Sequence, residues 1–316
     1  MELGGIATYG VFLVTLAGVY AVMTLGLNLQ WGFTGQFNIG VAGFFAVGAY
    51  TSALLTSPAN DAYVGGFALA FPVGLAGAVA ASALIALVIG WVTMRLRTDY
   101  LAIATIGIAE IIRLVLKNEE WLTNGVRGIP GIPRPLAGFV GDNPLAYMLL
   151  VLAILALVFF LAERARTSPW GRVLRAIREN ESAAMAAGKD IARFRLEAFV
   201  VGSAIMGAGG SLYAHFLGFI SPEAFDPLHG TFLVWVMLIA GGSGNNLGAV
   251  VGAIVIWALW SGTEILTGML PPEYVTQAGA LRVLLIGLLL QVILVARPEG
   301  LLPEPKPKGR TRDPEG

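Results

Sequence analysis

Apolar runs long enough to cross a bilayer, parted by short polar or glycine-rich stretches, recur along nearly the whole chain. A helix rises about 1.5 Å per residue, so about 20 mostly apolar residues span the hydrocarbon core. The pattern predicts spans over 6–29, 39–56, 66–94, 100–118, 144–162, 197–219, 247–267 and 281–296, with a short seventh segment at 231–241. Backbone polar groups find no water in that core, so the spans are helical. The expected fold is an all-α polytopic membrane protein, a bundle of about 8–9 transmembrane helices with Gly-rich breaks and one amphipathic cytoplasmic helix. Residues 1–302 read as a single transmembrane domain, and 303–316, PEPKPKGRTRDPEG, as a disordered tail.

The longest polar interruption is 163–197. It holds eight basic side chains (Arg164, Arg166, Arg172, Arg175, Arg178, Lys189, Arg193, Arg195) between Arg164 and Arg195, with Glu179, Glu181 and Asp190 among them. Such a stretch lies on a membrane face, and its Arg/Lys excess makes that face cytoplasmic. Threading the spans from there puts the N-terminus outside and the C-terminus inside. Fifteen of the twenty basic residues then fall inside, including Arg95, Arg97 and the tail cations. Within the stretch, Ser168-Pro169 reads as a helix start and Gly188 as its stop. Val173, Leu174 and Ile177 recur at helical spacing opposite Arg172, Arg175 and Arg178.

Composition agrees with the pattern and removes several kinds of chemistry. Mean hydropathy is +0.76 with 13% charged residues, far outside the soluble range. Residues 1–94 contain only Glu2 and Asp61 as charged side chains. No cysteine is present, which excludes disulfides and thiolate metal sites. The N-terminus lacks a basic n-region and a small-residue cleavage site, so the first apolar run reads as a retained span. No P-loop, G-x-S-x-G or H-E-x-x-H occurs. Nothing in the pattern calls for a cofactor or a nucleic acid.

Two polar breaks interrupt the apolar runs: Gly32-Phe-Thr-Gly-Gln-Phe-Asn-Ile-Gly40 and Gly241-Gly-Ser-Gly-Asn-Asn-Leu-Gly248. Both show Ser/Thr-Gly-amide followed by Gly. Paired interruptions of this kind point to a transport path, because unwound backbone is tolerated only beside protein or water. The competing reading is two ordinary cytoplasmic turns. On the outside, 119–143 is a Gly/Pro-rich loop and 221–230, SPEAFDPLHG, a short turn carrying Glu223 and Asp226. Within spans, Glu110 and Arg113 are spaced to neutralise each other, Glu264 is interfacial, and His215 is expected to make an interhelical hydrogen bond.

Several ordered segments resemble permease subunits of branched-chain amino-acid ABC importers, in particular the longer, LivM-type high-affinity permease family. They are Leu27-Asn-Leu-Gln-Trp-Gly-Phe-Thr-Gly-Gln36, Arg95-Leu-Arg97 with Tyr100-Leu-Ala-Ile-Ala-Thr, Trp170-Gly-Arg172 and Ala176-Ile-Arg-Glu-Asn-Glu181 with Gly188. Ala198-Phe-Val, Tyr213 through Phe225, Gly241-Gly-Ser-Gly-Asn245 and Arg297-Pro-Glu-Gly-Leu301 complete the set. The resemblance implies a non-catalytic translocation subunit in a bacterial inner membrane. Its implied partners are a second homologous permease, two ABC ATPase subunits that hydrolyse the ATP, and a periplasmic substrate-binding protein. The implied cargo is leucine, isoleucine or valine; permeases for urea, short amides or amino acids more broadly share much of the pattern.

A secondary transporter would need mid-membrane carboxylates that spans one to three lack. The resemblance makes Trp170, Gly171, Arg172, Arg175, Arg178, Glu179, Glu181 and Gly188 the ATPase-coupling segment. The Glu181-to-Gly188 spacing is longer than the E-A-A-x-x-x-G pattern of other ABC importers. Thr34, Gly35, Gln36, Asn38, Ser243, Gly244, Asn245 and Asn246 are assigned to the translocation path. Asn124, Arg127, Glu223 and Asp226 are assigned to docking of the binding protein.

Overall fold

The computed structural model describes residues 3–60, 62–93, 98–135, 141, 143–267 and 275–305. Arg95, Arg97 and tail residues 306–316 lie outside them. The long helices are α1 (Leu3–Leu27), α2 (Val41–Thr56), α3 (Phe71–Thr93), α4 (Thr98–Asn118) and α5 (Pro144–Thr167). Two short helices follow, α6 (Pro169–Glu179) and α7 (Glu181–Ala186). The chain continues with α8 (Ile191–Leu217), α9 (Leu233–Gly241), α10 (Asn246–Thr267) and α11 (Val275–Ala296). The protein is an all-α polytopic membrane protein. Among the described residues the one strand pairing is β1 (Ile129–Pro130) with β2 (Phe219–Ile220), antiparallel.

Among the described residues, five helices are long and apolar enough to cross a membrane: Ala7–Gly32, Phe71–Thr93, Pro144–Thr167, Ile191–Leu217 and Asn246–Glu264. Val41–Thr56 and Leu228–Gly241 are apolar but shorter, so each reaches only part of the way across. α4 carries Asp99, Glu110, Arg113 and Lys117 along its length.

The core is the antiparallel pair α1 and α8. Phe12 meets Phe216 with ring centroids 5.3 Å apart, Gly26 lies against Gly202 and Met206, and Gln30 reaches Phe199 and Ser203. Small residues let these helices approach closely. A Cβ on Gly26 would stand 2.6 Å from the Gly202 carbonyl. Around this pair the chain repeats one plan twice. α2 and α3 pack on α8, while α9 and α10 pack on α1.

Each half is a long helix, a polar segment that turns back into the bundle, a short helix, and a long helix antiparallel to it. Because α1 and α8 run in opposite directions, the halves form an inverted repeat. This changes the correspondence expected from the sequence. The counterpart of break 33–40 is segment 218–227, between α8 and α9. The Gly241–Gly248 break is instead the tight turn from α9 to α10, equivalent to 57–70 in the first half.

At the other end of α8 the helix boundaries are set by capping side chains. Ser168 Oγ accepts from the Gly171 N–H at 3.2 Å, with Pro169 in the first turn of α6. The sequence pattern suggests one helix up to Gly188; the structure divides it at Asn180. That residue is extended (φ −154°, ψ 97°) and its Oδ1 caps the Ala183 N–H at 2.9 Å. An N-cap side chain satisfies one of the orphan donors of a helix start.

Candidate functional site

α1 ends in a π-turn, Asn28–Gly32, which brings its polar side chains into the bundle. Asn28 Oδ1 accepts from the Gly244 N–H at 2.8 Å, and its Nδ2 donates to Asn246 Oδ1 at 3.0 Å. Asn246 Nδ2 in turn donates to Glu163 Oε2 at 3.0 Å, and Glu163 pairs with Arg166. The two Gly-rich breaks, though not structural counterparts, therefore meet. Gly35 and Gly244 sit at φ +71° and +85°, a left-handed conformation that favours glycine.

Above this contact a second amide organises the first break. Gln30 Nε2 donates to the Phe199 carbonyl at 2.8 Å and to Ser203 at 3.0 Å, while its Oε1 accepts from Asn38 Nδ2 at 2.8 Å. Asn38 then accepts the Gly40 N–H on its side chain and the Trp235 indole N–H on its carbonyl. Thr34 donates back to the Gln30 carbonyl, and Gln36 donates to the Arg195 carbonyl at 2.8 Å. Thr34, Gln36, Asn38 and Asn246 are buried, whereas Gly35, Ser243 and Asn245 are partly exposed. The amides hold the break in shape, and its open edge is apolar. Partly exposed Trp31 and Phe37 meet Trp235 edge to face at centroid distances of 5.3 and 4.8 Å.

Asn28 and Gln30 were not among the residues singled out from the sequence. The signal was there: two amides in the Leu-Asn-Leu-Gln-Trp end of an otherwise apolar run, costly in a bilayer unless each finds partners.

The polar unit α6–α7 is seated directly on this break. Leu174 of α6 packs with Leu29, Phe33 and Ala198, and Ile177 with Ala184 and Ile191. Trp170 donates its indole N–H to Glu197 at 2.8 Å. A Cβ on Gly171 would collide with the Ala165 carbonyl, so glycine permits the sharp corner between α5 and α6. Arg172 and Glu179 are exposed, Arg175 is half-buried, and Glu181 pairs with Arg195 at 2.8 Å. Arg178 turns inward to the Gly32 carbonyl and to Glu304, 2.7 Å from Nη2. α7 presents Ser182, Ala183, Met185 and Ala186 outward, with Met185 58% exposed, and Gly188 follows in open space.

The chain beyond α11 closes the underside of the second break. Leu301 and Leu302 donate their N–H groups to the carbonyls of Ala240 and Gly241 at 2.8 and 2.9 Å. Asn245 Nδ2 reaches the carbonyls of Leu302 and Pro303 at 3.2 and 3.1 Å. Pro303 and Glu304, which the sequence pattern assigns to the tail, are thus engaged with the helical domain.

At the opposite end, Asn124 is left-handed (φ 63°) and donates to the Gly128 carbonyl at 2.7 Å, ordering the loop before β1. Arg127 is exposed. Glu223 takes Lys117 at 2.7 Å and Arg113 at 3.6 Å, and Arg113 also forks onto Glu110. The Lys117 ammonium holds the Glu223 carboxyl below the usual carboxylate range. Burial raises the Asp226 carboxyl, but hydrogen bonds from the His229 ring and backbone outweigh it and hold the group low. His215 makes an interhelical hydrogen bond to Ser52 at 3.0 Å and a second bond, from Nδ1, to the Pro133 carbonyl at 2.7 Å.

Residues 10–294 match the family described as branched-chain amino acid transport system / permease component. The chain is 32% identical to the high-affinity branched-chain amino acid transport system permease protein LivM of Escherichia coli, covering 94% of this chain and 70% of that protein. It is 30% identical to the probable branched-chain amino acid transport permease protein LivM of Methanocaldococcus jannaschii, over 91% of each. It is also 26% identical to the Escherichia coli permease protein LivH, over 90% of this chain and 94% of that one. This chain belongs to the branched-chain amino acid transport permease family. No solved structure matches it.

In this permease, the site consists of two breaks locked together by Asn28, an aromatic edge beside them, and a polar helical unit seated on their underside.

Proposed function

We propose that the chain is the membrane-spanning permease subunit of an ATP-driven importer of branched-chain aliphatic amino acids. The observation that carries this reading is the seating of α6 on the first break through Leu174 and Phe33. A push on the polar unit is delivered to the segment that closes the path. Since the chain has no P-loop, the free energy comes from ATPase partners docked on α6 and α7. Their contacts are Arg172, Arg175, Glu179 and Glu181, with the small exposed residues of α7 as the seat.

The Arg/Lys bias sets the α6–α7 end in the cytoplasm and the β1–β2 end outside, with the N-terminus outside and the C-terminus inside. A binding protein docks at the outer end, where exposed Arg127 and Glu223 stand beside Asn124 and Asp226. Similarity to both LivM and LivH supports pairing with a second permease of the same family. The apolar edge of Trp31, Phe37 and Trp235 suits an aliphatic side chain, and rocking of the halves about it gives alternating access.

The test is reconstitution in liposomes with the ATPases, second permease and binding protein of the same system. Leucine, valine, a polar amino acid and urea are compared as cargo. Uptake and ATP hydrolysis stimulated by the branched aliphatics support the assignment. Stimulation by urea alone transfers the substrate to the amides, and failure to assemble with any ATPase removes the importer reading.

A further inference from the structure

The sequence pattern groups Arg178 with the other arginines of α6, but its surroundings are different. Nη1 donates to the Gly32 carbonyl, at the end of α1, and Nη2 donates to Glu304 at 2.7 Å. Its Cγ lies where a Cβ on Gly35 would be 3.4 Å away, and Nη1 where a Cβ on Gly244 would be 3.1 Å away. One arginine side chain therefore touches the end of α1, both breaks and the strap 297–304. The side chains of Arg178 and Glu304 are only 24% and 27% exposed. Glu179 also stands 3.8 Å from Nη2 and is 71% exposed.

Glu304 is itself well anchored. The strap carrying it is bonded to the last turn of α9 through Leu301 and Leu302 and to the second break through Asn245. Arg178 thus bridges two elements with backbone hydrogen bonds of their own: Gly32 at the end of α1 in the first half, and the strap, which is bonded to the second half. The planar, forked donor set of arginine serves two acceptors in different directions, which a lysine ammonium on a single stem does less well. Partial burial strengthens both bonds relative to an exposed ion pair.

We propose that Arg178 is a positioning residue for transport: the joint through which the cytoplasmic helix moves the two breaks together, rather than a contact for the ATPase. This rests on the reading that α6 and α7 receive an ATPase. Displacement of α6 pulls Gly32 directly and the second break through Glu304, so both sides of the path respond to one motion. The apolar seating of Leu174 on Leu29 and Phe33 transmits a push, whereas the two hydrogen bonds of Arg178 also transmit a pull.

The experiment compares Arg178→Gln, Arg178→Lys and Glu304→Gln in the reconstituted importer. It measures ATPase co-purification, hydrolysis rate, and amino acid moved per ATP hydrolysed. Arg178→Gln is expected to retain the ATPases and to keep hydrolysing, while amino acid moved per ATP falls by about tenfold or more, within the usual range of coupling between sites. Glu304→Gln and Arg178→Lys are expected to fall less, each keeping part of the joint. Unchanged transport per ATP in Arg178→Gln overturns the proposal, and so does release of the ATPases, which would make Arg178 a docking contact. Should Arg178→Gln fail to fold, Glu304→Gln decides, since it leaves the arginine in place: unchanged coupling there overturns the bridge. If the unaltered chain binds no ATPase, the importer reading fails before the joint is tested.

Discussion

The side chain of Asn28 accepts the backbone N–H of Gly244 at 2.8 Å and donates to Asn246 at 3.0 Å. One amide at the end of α1 thereby satisfies a tight turn more than two hundred residues away. Its oxygen takes the N–H this turn offers and its NH2 gives to the Asn246 amide oxygen, two of the hydrogen bonds an amide can make.

Removing that amide leaves buried partners unpaired. Asn28→Ala is expected to cost about 1–3 kcal/mol, seen as a lower unfolding temperature of the detergent-solubilised protein. Hydrogen exchange would quicken at Gly244 and its neighbours. An unfolding temperature and exchange pattern like those of the unaltered protein would show that the junction is held by the surrounding packing alone.

Glycine positions separate into those the packing requires and those it does not. A Cβ on Gly48 would collide with the backbone of Gly207, while one on Gly107 meets nothing within 4 Å. Gly48→Ala is expected to destabilise by about 1–3 kcal/mol, the usual range for overpacking, and Gly107→Ala to be neutral. Thermal unfolding followed by tryptophan fluorescence distinguishes the two, and equal midpoints would refute the close α2–α8 contact.

The tie between Glu223 and Lys117 is pH-dependent with a definite sign. The folded carboxyl is held below its unfolded value by Lys117, so its stabilising effect is present above the ordinary glutamate range of about 4.3. It is lost as pH falls through the lower folded value. Hydrogen exchange over 219–232 is expected to be flat from neutral pH down to about 5 once corrected for intrinsic rate, and to rise below that. In Glu223→Gln the raised exchange is expected at neutral pH too. A variant with the profile of the unaltered chain would contradict the tie.

Met185 tests the docking surface without touching the core, because it is 58% exposed on α7. Met185→Glu is expected to leave insertion and stability unchanged and to weaken ATPase co-purification by about tenfold or more, as for the loss of a central interface anchor. Retained co-purification would move the seat elsewhere on this face.

Much of this protein was legible along the chain because the physics involved is local. Span length follows from bilayer thickness, the start of α6 from Ser168-Pro169, and the Glu110–Arg113 pair from helical spacing. The division of α6 from α7 was harder to see, since Asn180 is as compatible with a solvated helix face as with a cap until its backbone is known.

Arg172, Arg175 and Arg178 show where locality ends. At about 100° per residue, each step of three falls short of a full turn by about 60°, so Arg178 lies about 120° around the helix from Arg172. That rotation turns it toward the bundle, but whether acceptors wait there depends on Gly32 and Glu304, remote in sequence. The sequence by itself determined that the chain folds as a bundle of apolar membrane helices, its polarity across the membrane as an expectation, and the family. The tertiary structure alone decided that the halves are inverted, that the two breaks meet though they are not counterparts, and that one arginine joins them. Those outcomes depend on which helices run antiparallel and which remote groups complete each buried hydrogen bond. Apolar periodicity reports the face a residue occupies and carries no information about the partner opposite it.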